Sequence, residues 1–149
     1  AGPCEVQRLY AEHYVLIAAP SIPLPAGRVC GWDQAAALPL GLLNRNMHSR
    51  QLVDACFVQA GVVPRVMLET NVLELLHAEI LTGKVAGIMP VSALPERMGF
   101  MGPLQMRRLD PSPAPEVGVL RLNQPNSTAL LSRLWGVSTT LELDDIYTV

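Results

Sequence analysis

Charge is scarce in this chain, and neither sign dominates. Only 16% of the 149 residues are charged, and the formal net charge is −2 at pH 7. Binding to a nucleic-acid backbone needs a concentrated field of lysine and arginine that neutralises phosphates. The composition therefore argues against direct contact between this segment and DNA or RNA. Half of the residues are hydrophobic, which predicts a buried core in one unit or two small lobes.

Long apolar runs and an export signal are also missing. The longest apolar run, residues 14–20, is far shorter than the roughly 20 residues that cross a bilayer. The N-terminus lacks a basic region followed by an apolar segment. The chain has three cysteines, Cys4, Cys30 and Cys56, which is an odd number. They are widely spaced and form no C-x-x-C pair. These features predict a protein of the reducing cytoplasm with no membrane partner.

Signatures of catalysis and of metal binding are absent as well. The chain has no nucleophile elbow, phosphate-binding glycine loop or H-E-x-x-H helix. Glu69, Glu74 and Glu79 are explained as charges that flank helices. His13 and His77 have no neighbours at metal-ligand spacing. The sequence therefore predicts neither an enzyme nor a metal or cofactor site.

What the chain does have is a regular alternation of buried strands and amphipathic helices. Val15–Ala19 and Pro39–Leu43 are short, almost wholly apolar runs, typical of strands that are covered on both faces in α/β sheets. Further strands are predicted over Val62–Leu68, Val85–Met89, Leu104–Leu109 and Val117–Leu122.

Four helical segments are predicted between or after these strands. They are a short turn over Trp32–Leu38, a helix over Met47–Ala60, a helix from Asn71 to Gly83 and a last helix that ends at Gly136. Asn46 and Asn71 are predicted N-caps, the latter in a capping box with Glu74, and residues 126–128 are predicted to cap the last helix. Strand, helix and strand in succession predict parallel pairing with right-handed crossovers.

One long stretch of the chain resembles a known family. Residues 32–94, WDQAAALPLGLLNRNMHSRQLVDACFVQAGVVPRVMLETNVLELLHAEILTGKVAGIMPVSAL, resemble the second half of the effector-binding domain of LysR-type transcriptional regulators. The residues that carry the resemblance are Trp32, Pro39, Arg50, Asp54, Phe57, Gly61, Pro64, Glu69–Thr70–Asn71 and Ile88–Met89–Pro90. The flanking LYAEHYVLIAAP and EVGVLRL resemble the family's two interlobe crossover strands.

The resemblance implies an α/β fold of the type II periplasmic-binding-protein kind, with a mixed, mainly parallel sheet flanked by helices. An inducer cleft would lie between two lobes. Residues 1–20 and 116–149 would be remnants of the first lobe with its crossover strand, and residues 21–115 would form the second lobe. DNA would be bound only through an N-terminal helix-turn-helix domain that is absent from this chain.

Two polar loops are the candidate ligand-binding residues. Asn44, Arg45 and Asn46 follow the second strand, and Thr70 and Asn71 follow the third. Ligands of open α/β sheets bind outside the carboxyl ends of the strands, where helix N-termini favour an anion. The resemblance places both loops along the inducer cleft. The alternative interpretation is that the asparagines are only helix caps and that Arg45 is a solvated loop cation.

The sequence thus predicts an effector-sensing domain that binds a small, anionic inducer. A periplasmic-type solute-binding fragment is an alternative, although it would need an export signal, and an α/β enzyme would need a recognisable catalytic group. Self-association is also expected, because Val15–Ala19 and Val117–Leu122 would otherwise expose unpaired strand edges. The resemblance points to antiparallel dimers and to tetramers.

Overall fold

The computed structural model describes residues 3–123 and 128–147 of the chain. These residues form two units. The smaller unit combines both ends of the chain, residues 3–12 with 114–123 and 128–147, and the larger unit spans residues 13–113. Each unit has its own β-sheet, so the two are described separately.

The helices and strands alternate along most of the described chain. In order they are β1 (Cys4–Ala11), β2 (Tyr14–Ala18), β3 (Val29–Gly31), α1 (Trp32–Ala36), β4 (Leu40–Leu43), α2 (His48–Gln59), β5 (Val66–Thr70), α3 (Leu73–Leu81), β6 (Ala86–Pro90), two 3-10 helices (Val91–Ala93 and Pro95–Met98), β7 (Gln105–Asp110), β8 (Glu116–Leu122) and α4 (Ala129–Ser138). None of the helices described here is long and apolar enough to span a membrane.

The larger unit is built on a six-stranded mixed sheet with the strand order β3-β7-β2-β6-β4-β5. β4 lies between β5 and β6 and is parallel to both, which is the pairing that strand–helix–strand connections predict. β2 is antiparallel to β6 on one side and to β7 on the other. The expectation that Val15–Ala19 exposes an unpaired edge is therefore wrong.

Helices cover both faces of this sheet. Phe57 of α2 packs edge-on against Trp32 of α1, with 4.9 Å between ring centroids, and both belong to one core with Leu40 and Leu42 of β4. Side chains alternate along a strand, so Gly41 faces the other side, where a Cβ would lie 2.9 Å from Leu76 of α3. The glycine thus lets α3 approach the sheet closely.

Both predicted asparagine caps are wrong. α2 has Met47 at its N-cap and α3 has Val72, and neither side chain makes a cap hydrogen bond. Ahead of α3, the turn is held instead by Thr70, whose Oγ1 accepts from the Val72 N–H at 3.0 Å. The capping box of Asn71 with Glu74 is not formed, and both Asn46 and Asn71 are exposed.

The bounds of β5 and α4 also differ from the predicted ones. β5 begins at Val66 because Pro64, which lacks an N–H, stays outside the ladder. α4 continues through Gly136 to Ser138, where a helix end was predicted at the glycine. Thr128 does cap this helix, since its side chain accepts from the Leu131 N–H. The other predicted cap residues, Asn126 and Ser127, lie outside the described residues.

The smaller unit contains an antiparallel pair, β1 and β8, that runs from Cys4 opposite Leu122 to Ala11 opposite Glu116. Arg8 of β1 donates to Asp144 at 2.9 Å. Tyr10 stacks on Tyr147 with 4.3 Å between ring centroids. These contacts fix the C-terminal residues of the described chain against β1.

Candidate functional site

The carboxyl ends of β4 and β5 bring the two predicted polar loops together. The strands are parallel neighbours in which Leu43 is opposite Thr70. One residue further along, the Asn44 N–H donates to the Thr70 carbonyl oxygen at 2.9 Å. Residues 44–46 and 70–71 therefore lie side by side at one edge of the sheet, as parallel strand ends require.

Most of the polar side chains at this edge are free to bind something else. Asn44 is half-buried, whereas Asn46 and Asn71 are exposed. Within the described part of the chain, none of the three asparagine side chains is hydrogen-bonded to protein. Thr70 differs, because its hydroxyl is buried and already accepts from Val72. The edge thus offers three unoccupied amide groups beside one structural threonine.

Arg45 carries the exposed positive charge of this edge. Its side chain is 76% exposed, and its Nε lies 3.7 Å from Oε1 of Glu69. An ion pair at this distance and exposure contributes little to stability. The guanidinium can therefore exchange Glu69 for an anion from solution at small cost.

Arg50 is a buried structural neighbour of this edge, and the sequence analysis did not assign it to the site. Its side chain is only 2% exposed. It donates to the Leu43 carbonyl oxygen at 2.7 Å, to Asp54 at 2.7 Å and to Glu69 at 3.3 Å. It therefore joins the end of β4, the first turns of α2 and strand β5. In the sequence, the i,i+4 spacing of Arg50 and Asp54 is the signal from which this ion pair could have been predicted.

Two helices begin at the same edge. α2 starts at His48, directly after residues 44–47, and α3 starts at Leu73, directly after residues 70–72. Their first turns leave backbone N–H groups without intrahelical partners and carry a partial positive charge. The backbone therefore favours an anion here as well.

The cavities near this edge are unequal in size. A space of about 10 Å³ lies among Leu43, Ser49 and Arg50, and it is too small for a metabolite. A groove of about 520 Å³ runs along α2 and β5 and has Arg45 and Glu69 in its lining. Neither of these two spaces is lined by the other predicted site residues, which are Asn44, Asn46, Thr70 and Asn71.

No metal-binding group of three or more His, Cys, Asp or Glu side chains occurs among residues 3–123 and 128–147. Burial raises the pKa of the Cys30 thiol, and it also raises the pKa of Cys56. Both thiols are therefore poorer nucleophiles and metal ligands than an exposed cysteine.

A model of the LysR substrate binding domain matches residues 3–139. This chain belongs to the LysR substrate-binding domain family. The resemblance seen in the residues is thereby confirmed. No curated protein matches the chain.

Solved structures of LysR regulators share the fold of this LysR domain. The Synechocystis PCC6803 CcmR regulatory domain, solved in complex with 2-PG, has a TM-score of 0.76 at 17% identity, over 91% of this chain and 65% of that one. The effector binding domain of QuiR in complex with shikimate has a TM-score of 0.72 at 12% identity, over 92% and 64%. CbnR, a LysR family transcriptional regulator, has a TM-score of 0.70 at 18% identity, over 91% and 47%.

These structures confirm the predicted α/β fold of the type II periplasmic-binding kind. This LysR chain spans less than two thirds of the length of the CcmR and QuiR domains and about half of the length of CbnR. Identities of 12% to 18% establish the fold and carry no residue roles.

Proposed function

We propose that this LysR domain senses a small organic anion, which binds where β4 and β5 end. The observation that carries the proposal is the hydrogen bond from Asn44 to the Thr70 carbonyl oxygen. It aligns two polar loops whose asparagine side chains have no protein partner in the described chain. Arg45 supplies the charge and the starts of α2 and α3 supply backbone donors.

The relatives support a small-molecule ligand. The CcmR regulatory domain was solved with 2-PG and the QuiR effector binding domain with shikimate. In our proposal the ligand stabilises one arrangement of the regulator over another, which is how an effector alters transcription. The domain does this without catalysis and in the cytoplasm. We expect DNA to be bound by a separate part of the regulator. Full-length CbnR was solved in complex with its target DNA, which supports a DNA partner for the whole regulator.

The first experiment replaces Arg45 by glutamine and Asn71 by alanine in the same chain. Calorimetric titration with shikimate, 2-PG and related small carboxylates and phosphates identifies a compound that binds the unmodified chain. We expect the double variant to bind that compound about tenfold more weakly, because it loses a charge-assisted hydrogen bond worth roughly 1.5 kcal/mol or more. Thr70 is left unchanged, since its hydroxyl also holds the turn before α3.

Arg65→Gln is the matched control for this titration. Arg65 is exposed and lies just before β5, and no ion pair or side-chain hydrogen bond involves it in the described structure. Its replacement should leave the affinity unchanged. Equal affinities of the unmodified chain and of the Arg45/Asn71 variant would remove these residues from the site.

We also propose that the domain self-associates as a dimer or tetramer. Leucines on β8 and α4 are more than half exposed, and with Trp135 they line a largely apolar groove of about 600 Å³. The leucines that line the groove are Leu120, Leu122, Leu131 and Leu134, and Leu130 of α4 is exposed beside them in the sequence. Exposed apolar patches of this kind mark contact surfaces.

Sedimentation velocity at micromolar concentration tests this expectation. The unmodified chain should sediment faster than a monomer of 16.1 kDa. Leu131→Gln with Leu134→Gln, which makes the α4 surface polar, should restore the monomer. A monomeric unmodified chain would contradict self-association through this surface.

A further inference from the structure

A second cavity lies in the larger unit, remote from β4 and β5 in the sheet. Its volume is about 450 Å³, and it is lined by Arg28, Val29, Met106 and Arg108. These residues belong to β3, β7 and the residue just before β3. In the strand order, β2 and β6 separate β7 from β4. This cavity is therefore distinct from the proposed effector site.

The cavity lies where the helices of the larger unit leave one face of the sheet uncovered, at β3 and β7. Cys30 and Leu109 are paired neighbours that are buried in the core against α1 and α2. The preceding pair, Val29 and Arg108, points to the opposite face. On that face α3 packs on β2, β4, β5 and β6. Val29 stays 39% exposed, and Met106, two residues before Arg108, stays 41% exposed.

Two arginines without counter-ions border this uncovered face. The Arg108 N–H donates to the Arg28 carbonyl oxygen at 2.9 Å, which holds the two residues side by side. In the described structure neither guanidinium takes part in an ion pair or a side-chain hydrogen bond. Asp110 is the next residue of β7 on this face, and it forms no ion pair within the described chain. Arg107 points away and donates to the Pro25 carbonyl oxygen.

We propose that this cavity binds an organic anion that has an apolar body. The guanidiniums of Arg28 and Arg108, which both line the cavity, would hold a carboxylate or phosphate through charge-assisted hydrogen bonds. Val29 and Met106 would contact the apolar part, for which the flexible Met side chain is well suited. The volume falls within the range of small-molecule sites, roughly 300 to 1,000 Å³. This proposal does not depend on the proposed effector site.

The test is a titration of the chain with hexanoate, hexyl phosphate and acetate, followed by backbone amide chemical shifts in NMR spectra. Shifts are expected at Val29, Met106 and Arg108 with either six-carbon anion, and the tighter of the two identifies the preferred headgroup. Acetate should bind at least tenfold more weakly than hexanoate because it lacks the apolar body. Hexanoate should bind at least tenfold more weakly to the Arg28→Gln/Arg108→Gln variant than to the unmodified chain.

Two control variants separate this site from the other one. Arg45→Gln and Arg65→Gln each remove one exposed arginine of the same unit. Both should keep the hexanoate affinity that is derived from the amide shifts of Val29, Met106 and Arg108 within twofold. Shifts that survive unchanged in the Arg28/Arg108 variant, or acetate that binds as tightly as hexanoate, would overturn the proposal. Both arginines are exposed, so the thermal unfolding midpoint of the double variant should match that of the unmodified chain.

Discussion

Replacing Arg50 by methionine should lower the free energy of unfolding by roughly 3 kcal/mol. Methionine fills much of the same space but donates no hydrogen bond. The Leu43 carbonyl oxygen, now bonded to Arg50 at 2.7 Å, would be left without that partner. Asp54 and Glu69 would lose a shared cation, although both carboxylates are about 37% to 38% exposed and would be partly hydrated. The carbonyl therefore accounts for a large share of the loss.

Chemical denaturation measures this difference, and a constant m-value shows that only stability has changed. Arg65→Met is the matched control, because the exposed Arg65 side chain has no partner in the described structure, and its effect should stay within about 0.5 kcal/mol. Asp54→Asn should lower the free energy of unfolding by less in the Arg50→Met variant than in the unmodified chain, because Arg50 and Asp54 form one ion pair. If Arg50→Met lowers the free energy of unfolding by less than about 1 kcal/mol, water replaces the guanidinium as the hydrogen-bond partner of the Leu43 carbonyl oxygen.

The main strands and helices of the larger unit could be predicted because their patterns are complete within short windows. The run that becomes β2 is apolar at every position, and all five residues of the strand are buried. α2 places Val53 and Phe57 on its buried face at the predicted spacing. The adjacency of the two polar loops followed from the parallel order of β4 and β5 alone. Whether those loops bind a ligand stays a prediction.

Other features depend on contacts between residues that are far apart in the sequence. Among the described strands, β1 pairs only with β8, which lies more than a hundred residues away. The side chains of β1 are mostly half-buried or exposed, so no apolar run marks this strand. β3 is three residues long. The asparagine caps were predicted from residue type, but the Thr70 hydroxyl occupies the turn before α3. Arg50 is polar by sequence and becomes buried only because the Leu43 carbonyl and two carboxylates surround its guanidinium.

Acid should destabilise the larger unit through His77 of α3. The His77 ring is completely buried. Its Nε2 lies 2.8 Å from the Ala93 carbonyl oxygen, so the proton sits on Nε2, and the ring packs edge-on against Phe100. Nδ1 is buried without a hydrogen-bond partner in the described structure. Burial therefore lowers the pKa of His77, and the backbone hydrogen bond and the charge of Glu74 oppose this shift only in part.

A folded-state pKa below that of the unfolded chain fixes the direction of the pH effect. The unfolded histidine has a pKa of about 6.5 and takes up a proton below that pH, whereas the folded His77 takes one up only at lower pH. The contribution of the neutral His77 ring to the free energy of unfolding is therefore fully present when the pH lies above the pKa of the unfolded histidine. It falls as the pH drops below that value, by up to about 1.4 kcal/mol for each pH unit, until the folded pKa is reached.

Denaturation curves recorded at pH 7.5, 6.5, 5.5 and 4.5 test this linkage with His77→Gln as the key variant. Glutamine can still donate an amide hydrogen to the Ala93 carbonyl oxygen, but it takes up no proton in this range. The slope of the free energy of unfolding against pH should therefore become shallower in the variant, by at most the slope that one proton contributes. His48→Gln makes the same chemical change at an exposed imidazole of α2 and is the matched control. Glutamine has no titrating proton, so the variant lacks any contribution of residue 77 to the slope of stability against pH. An equal slope in the unmodified chain and in His77→Gln would therefore show that the buried ring does not set the acid sensitivity.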